Sequence, residues 1–499
     1  MHPALIFAVA TAAFHFVALI GYERVQRWLA LRKFAREHNC KSTQLERPWD
    51  VLGLAKIVSA TKHLLNGTTL STTTMLFDRY GDTYSSKLAA QRVVFTCSPR
   101  NFRQVLITRF ADYDSSRGIR DHLFAPITPH GIFALDGAEW KAARHLYRDL
   151  FSRTRVIFDP AAQEAHFQTL RRRLATDGST FDIAPLFLNL TLDLTTEFAI
   201  GVSADSLRLD QAADKRLFVD SLIHTKKVMA RDGFLGPVHV FLSKKEFHRS
   251  CNEVRRFVEV VVKQKLEEKR RVDEKAKSAS VSDLATVPEK HWSSLLEGLV
   301  EHSSNIDELR DGVITILIAG IDSVASLLST TFWLLARHER VYKKVREAVL
   351  QTAGHEPPTY DMLKSLTYLR NIFNEAMRVY PPVPFNARTT NTDTWLPTGG
   401  GRDGESPVLV KKGERVVFAS WGSHRNPKNF GEDAHEFVPE RWENLQADAL
   451  GFIPLQPRAQ SVSRPIEARD GREWTEKLGL NLSNNNGTLI GVTTDPASM

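Results

Sequence analysis

A chain of 499 residues with a formal charge of +8 and 42% hydrophobic residues has an ordinary globular composition and a basic surface. Basic excess suits anionic lipid or an acidic protein partner, while no zinc-ligand spacing and no basic-aromatic cluster supports nucleic-acid binding. Three cysteines, Cys40, Cys97 and Cys251, form neither a CxxC pair nor a disulfide framework, which fits a reducing, cytosol-facing compartment.

Residues Pro3 to Gly21 are apolar except for His15. A helix of roughly 19 residues at about 1.5 Å each spans roughly 28 Å, close to the thickness of a bilayer core. Arg24, Arg27, Arg32, Lys33 and Arg36 follow, with no small-residue cleavage site before them. Residues 1–22 therefore read as an uncleaved, single-pass membrane anchor in contact with lipid, the bulk of the chain being cytosolic. A cleaved signal peptide is the competing reading, and the scarcity of cysteine weighs against it.

Between Thr72 and Val105 the pattern turns to strands, as in TYSSKLAAQRVVFTCSP, where beta-branched residues and a turn recur. The stretch DGAEWKAARHLYRDLF is an amphipathic helix with Trp140 and Arg144 four apart on one face; alone, that pair reads as surface packing. From Leu170 to Leu242 helices are interrupted by Asp, Gly and Pro. A densely charged helix over 249–272 reads as a solvated face, and the Lys/Ser/Ala-rich run Glu274 to Lys290 as a loop inside one large domain. Sequons at Asn66, Asn189, Asn481 and Asn486 need a lumenal location, which the anchor topology denies them.

The apolar run Gly312 to Ala336 has no proline and little polar surface, so it must be a buried helix. At its centre stand Gly320, which weakens a helix by about 1 kcal/mol relative to alanine, and the polar pair Asp322 and Ser323. A buried acid is unfavourable unless it is paired or used. A second helix is expected from Leu363 to Tyr380, stopped by Pro381 and Pro382. On it Glu375 and Arg378 share one face and can pair; the same spacing at Glu246/Arg249, Glu253/Arg256 and Glu267/Arg270 shows how weak that signal is alone. YPPVPFNAR and then FGEDAHEFVPERWE follow.

The order AGIDS, EAMR, YPPVPFNAR, FVPERWE resembles the cytochrome P450 haem-thiolate monooxygenases, within them the membrane-bound fungal branch that hydroxylates alkanes and fatty acids. The likeness covers roughly Phe34 to Pro454. It implies a mainly α fold with small β-sheets behind one transmembrane helix, in the endoplasmic-reticulum membrane with its catalytic domain, residues 23–455, cytosolic. It also implies haem, electrons from NADPH-cytochrome P450 reductase and a small lipophilic substrate, since activating dioxygen for insertion into a C–H bond is cofactor chemistry. Carried over by the resemblance, Trp140 and Arg144 contact one haem propionate and Arg388 reaches the other, Ala319 and Gly320 leave room for dioxygen, and Asp322 and Ser323 relay protons. The usual threonine at position 323 is serine here. Glu375 and Arg378, extended by Arg441, brace the haem's proximal side, and Phe218 to Val240 forms a lid.

The resemblance stops after Phe452-Ile453-Pro454, and no cysteine follows Cys251, so the metal has no protein ligand. Degenerate codons for Leu455 to Ile466, read one base later, permit Phe-Asn-Arg-Gly-Pro-Arg-Val-Cys-Pro-Gly-Gln, the family's ligand loop. A one-base frame change near Leu455 accounts for this, and residues 456–499 are then expected to be a divergent, disordered tail without periodicity. The fold is in that sense C-terminally incomplete. A different class of function, a non-enzymatic membrane-anchored protein that keeps the fold to bind a ligand or partner, stays open.

Overall fold

The computed structural model describes residues 3–115, 119–152, 160–175, 177–235, 239–240, 242–278, 292–444, 452, 466–468, 476–478, 481–484 and 488–493. The chain is mainly helical with small sheets and forms two compact units, one of residues 1–57, 75–114 and 387–418, the other of 58–74, 115–386 and 419–499.

The smaller unit is built on strands β1 Gln44–Leu45, β2 Thr83–Leu88, β3 Gln91–Thr96, β4 Tyr113–Asp114, β6 Phe385–Thr390 and β9 Arg415–Ala419, in the order β1-β2-β3-β9-β6-β4. β2 and β3 form a hairpin in which Tyr84 faces Phe95 with rings stacked 5.2 Å apart, the kind of cross-strand aromatic pair that fixes register. β7 Thr394–Gly400 pairs antiparallel with β8 Ser406–Val410. The N-terminal helix runs without interruption from Pro3 to Glu37, past the anchor boundary expected at residue 22. Phe14, Phe16, Val17 and Leu19 on it are exposed, and Arg27 Nη2 donates to Asp393 Oδ1 at 2.6 Å.

Strands were expected from Thr72, yet Thr72 to Tyr80 belongs to a helix, Thr69–Tyr80. The hydroxyls of Thr73 and Thr74 donate to the carbonyls four residues back, Thr69 O at 2.8 Å and Leu70 O at 3.2 Å. That local bond lets threonine sit in a helix against its strand preference.

In the larger unit the helix Ile306–Leu335 is the central element. It starts six residues before the expected Gly312 because Asn305 caps it, its side chain accepting from Asp307 N at 3.0 Å and Glu308 N at 3.4 Å. Its length and apolarity would cross a membrane, but 72% of its most apolar stretch is buried in protein, so it is a core helix. Ala184–Ile200, Lys245–Ser278 and Leu295–Val300 pack around its first half, where Val254, Val258, Leu295, Val313 and Leu317 are fully excluded from water. The single helix expected over Leu363–Tyr380 is two, Tyr360–Ser365 and Thr367–Val379, broken at Leu366, whose side chain turns into the core at 5% exposure.

The tail departs most from expectation. Among its described residues, β10 Ile466–Ala468 and β13 Leu489–Thr493 pair antiparallel, and β13 pairs in turn with β5 Asp177–Asp182; β11 Glu476–Leu478 and β12 Leu482–Asn484 form a hairpin. Ile490 is 0% exposed beside Leu170, Ile183, Phe187 and Phe332. Leu482 N donates to Pro382 O at 2.7 Å, and Ser326 Oγ on the central helix donates to Leu482 O. The expectation of a disordered 456–499 is therefore corrected for these residues; Leu455 to Pro465 lies outside the described residues. Strands of three residues are too short to show a period, and β13, of five residues, has in β5 a partner about three hundred positions away.

Candidate functional site

On Thr367–Val379 the apolar residues Leu369, Ile372, Ala376 and Met377 bury one side of the helix, and that burial carries Glu375 and Arg378 inward with it. Both are 0% exposed. They meet as a two-pronged pair, Arg378 Nε to Glu375 Oε2 and Nη2 to Oε1, each 2.8 Å. Arg378 gives its remaining protons to the carbonyls of His424 at 2.7 Å, Ala434 at 2.5 Å and Glu436 at 2.7 Å. Glu375 accepts also from Val438 N and from the indole Nε1 of Trp442, both at 2.9 Å. Desolvating two charges is unfavourable unless nearly every lone pair and proton is answered, and here they are. Arg441 Nε stands 3.5 Å from Glu375 Oε1, while its Nη1 donates to Phe430 O at 2.6 Å and to Asp433 Oδ1 at 2.9 Å. The sequence-expected trio of Glu375, Arg378 and Arg441 is thus brought together, and it clamps the irregular segment 424–442 onto the helix.

His424, 0% exposed, lies 3.1 Å by Nδ1 from Arg378 O. Burial, with Arg378 and then Arg425 adding their positive charge, pushes it down to about 3, so it is neutral and its Nδ1–H donates. Phe452 packs its ring tilted against Trp442, centroids 4.4 Å apart, and against His424 at 5.3 Å. The chain therefore reaches the point where the family likeness breaks directly against this brace.

The central helix supplies the other expected group. Ser323 Oγ donates to Ala319 O at 2.8 Å, one turn back, so its hydroxyl is engaged within the helix. Asp322 Oδ1 accepts from Lys226 Nζ at 2.7 Å; Lys226, from the helix Ala213–Leu235, is 6% exposed and Asp322 24%. Ile316, Ala319 and Val324 on this helix are half-buried, Ile316 packed against the cluster of Val313 and Leu317 and Val324 against that of Phe187 and Phe332. At Gly320 an added Cβ would stand 3.1 Å from Thr195 Cγ2, so the missing side chain makes room for the helix Ala184–Ile200. At Gly312 the corresponding space is filled by the Tyr147 hydroxyl, 2.3 Å from where a Cβ would be, and this close approach seats the helix Gly137–Ser152 on the core. On that helix Trp140 is half-buried and Arg144 exposed. Arg388 lies in the other unit, its Nη1 donating to Ala387 O at 2.8 Å and its guanidinium 5.7 Å from the Phe418 ring.

Lys226, Trp442 and His424 were not singled out from sequence. A signal existed for the first: Lys226 falls on the face marked by Leu222 and Met229, where an unpaired lysine has no place.

The donor set does not fit a thiolate-held haem. Cys97 and Cys251 are buried at 1% exposure, and Cys251 lies in the apolar cluster of the long charged helix with its thiol pushed up to about 11 by burial. Cys40 and Cys97 belong to the smaller unit. Among the described residues no three His, Cys, Asp or Glu side chains converge on a metal-sized point.

The profile of the family described as Cytochrome P450 matches residues 46–455. The chain is 30% identical to the cytochrome P450 monooxygenase fsdH of Fusarium heterosporum, over 93% of this chain and 85% of that protein. It is 31% identical to cytochrome P450 52A12 of Debaryomyces hansenii, over 88% and 85%. With the cytochrome P450 monooxygenase FPY7 of Fusarium mangiferae it is 30% identical across an alignment 513 residues long that takes in 97% of this chain and 95% of that protein. Since 97% of 499 residues is about 484, about 29 of those 513 positions have no residue from this chain.

Proposed function

The chain belongs to the cytochrome P450 family, and from that premise we propose that it descends from a haem-thiolate monooxygenase that hydroxylates a lipophilic, alkane- or fatty-acid-like substrate. The observation that carries this reading is the fully buried Glu375–Arg378 pair, clamping the segment that leads to Phe452. The apolar character of the central helix Ile306–Leu335 is the reason for a lipophilic substrate, and the long aliphatic class rests on analogy with relatives such as cytochrome P450 52A12. Asp322 and Ser323 are proposed to hold and pass protons along the central helix, Trp140, Arg144 and Arg388 to serve the haem's acid groups, and Glu375, Arg378 and Arg441 to hold the fold beneath it. Haem is the cofactor the family implies, and an NADPH-dependent reductase its partner. The exposed apolar residues of Pro3–Glu37 support a membrane anchor, and the endoplasmic reticulum with a cytosolic catalytic domain is proposed by analogy with the family.

With no thiolate donor, the 499-residue chain is expected to be inactive as an oxygenase. The test is optical: the purified full chain, supplied with haem, reduced and exposed to carbon monoxide, shows no thiolate-haem Soret band. Such a band would overturn the assignment of Cys40, Cys97 and Cys251 as non-ligands. The missing donor also favours the second reading, a fold kept for ligand or partner binding without catalysis. Saturable binding of a long-chain aliphatic probe to the haem-free full chain would support it, and absence of binding would remove it.

A further inference from the structure

Two observations disagree with a chain that simply runs out of frame after Pro454. A single one-base change near Leu455 would put every later residue out of frame, and an out-of-frame peptide has no reason to match a fold selected without it. Yet the described residues among 466–493 fit the body of this protein. β13 continues the sheet on β5 with Leu489 opposite Asp182 and Ile490 opposite Phe181, and β10 adds to its other edge with Ile466 opposite Val492. Thr488 N donates to Asp182 Oδ1 at 2.8 Å, and Ile183 N donates to Thr488 O at 3.1 Å. Leu482, 1% exposed, shares a cluster with Leu70 and Trp421, while Ile490, 0% exposed, enters the cluster of Phe187 and Phe332. The buried, half-buried, buried alternation of Thr488, Leu489 and Ile490 is that of a strand with one face on a core.

The second observation is the reach of the likeness. The Cytochrome P450 profile ends at residue 455, so it stops where the ligand loop should begin. The pairing with FPY7 leaves at most about 15 residues of this chain unmatched, fewer than the 44 that follow Leu455, so much of the tail is matched as well. About 29 positions of that pairing, taken over its whole length, are empty on this chain's side, which is room for a lost segment of up to that size. The misread peptide Leu455 to Pro465 supplies a site for the loss: shifted by one base it encodes a cysteine-bearing loop, and by Ile466 the chain is back among residues that fold.

We infer that the codons for Leu455 to Pro465 are read one base out of the fold's frame and still encode the thiolate loop, that a segment following that loop is missing before Ile466, and that residues from Ile466 to Thr493 stand in the fold's own reading frame. The frame change at Leu455 is therefore compensated before Ile466, as at a misplaced exon boundary, and the C-terminal strands are native parts of the protein. The place of the thiolate rests on the cytochrome P450 reading above; the frame of the tail does not.

Two experiments test this separately. The transcript is sequenced across the codons from Phe452 to Ile466. The expected result is a longer message that reads Phe-Asn-Arg-Gly-Pro-Arg-Val-Cys-Pro-Gly-Gln and then joins Ile466 in the present frame. A message encoding the 499 residues unbroken, or one that carries the loop but reads 466–493 in another frame, overturns the inference and leaves family membership untouched. In the second, Leu482→Asp and Ile490→Asp are made singly in the 499-residue chain and their melting temperatures compared with the parent and with the exposed-site control Leu209→Asp. A native tail gives a drop of several degrees for both core substitutions and none for the control. Equal melting of all four chains overturns the claim that these strands belong to the fold. Haem binding by the corrected chain, read as a thiolate-haem Soret band, then tests the cytochrome P450 reading itself.

Discussion

Trp442 donates its indole N–H at 2.9 Å to Glu375 Oε2, the oxygen that also accepts from Arg378 Nε. The tryptophan of the PERW stretch is thus a member of the buried charge cluster rather than an apolar cap on it. Trp442→Phe keeps the ring's packing on Phe452 but leaves a buried carboxylate oxygen with one donor fewer, for a loss of about 1–3 kcal/mol. Glu375→Gln removes the charge opposite a fully buried guanidinium and is expected to destabilise by about 3–5 kcal/mol. The double variant loses less than the sum, because the two share one oxygen. Urea unfolding of the full chain measures all three, and strict additivity would contradict the shared-oxygen account.

Lys226 and Asp322 differ in their access to water, and that difference sets an order. Asp322→Asn strands an ammonium that is 6% exposed and is expected to lose roughly 3 kcal/mol. Lys226→Met leaves a carboxylate with 24% exposure, which water can partly solvate, and loses less. Chemical denaturation gives the ranking; a lysine variant as damaging as the aspartate variant would mean that the pair is not the controlling interaction.

Gly320→Ala sets two effects against each other. Helix propensity favours alanine by about 1 kcal/mol, while a Cβ at 3.1 Å from Thr195 Cγ2 overpacks the helix contact, typically by about 1–3 kcal/mol. A net loss of up to about 2 kcal/mol is expected, and Thr195→Ser, which removes the offending methyl, restores stability in the double variant. Failure of that rescue, read as melting temperature, would return Gly320 to a role other than helix packing.

His424 makes a pH prediction. Its pKa falls from 6.5 when unfolded to about 3 in the fold, so below pH 6.5 the unfolded chain binds a proton that the folded chain refuses. Stability from this group is complete above about 6.5, declines as the pH drops, and levels off below about 3. His424→Asn, which can still donate to Arg378 O, is expected to flatten that part of the melting-temperature profile between pH 7 and 3. Parallel profiles for the two proteins would show that His424 does not titrate on unfolding.

What could be read from sequence divides by range. Glu375 and Arg378 were legible because three-residue spacing, an apolar face and a proline stop all lie within one helix. Asp322 was legible as an acid in need of a partner, but Lys226 stands 96 residues away and only the fold could supply it. The threonines of Thr69–Tyr80 misled because their strand preference is overridden by bonds to their own helix. At Gly320 a missing side chain looks the same in sequence whether a ligand or a neighbouring helix fills the space. The tail strands were invisible because each is short and because the partner that anchors β13, the strand β5, is remote.

The bond from Thr488 N to Asp182 Oδ1 joins residues 306 apart. During translation β5 is therefore made long before the strand that covers it, and at about 5–20 residues per second the delay is roughly 15–60 s. Through that interval its edge and the cavity meant for Ile490 stay open while the N-terminal helix has already left the ribosome. This is the window in which a nascent chain is most exposed to mispairing, and β13 with Ile490 is what closes it.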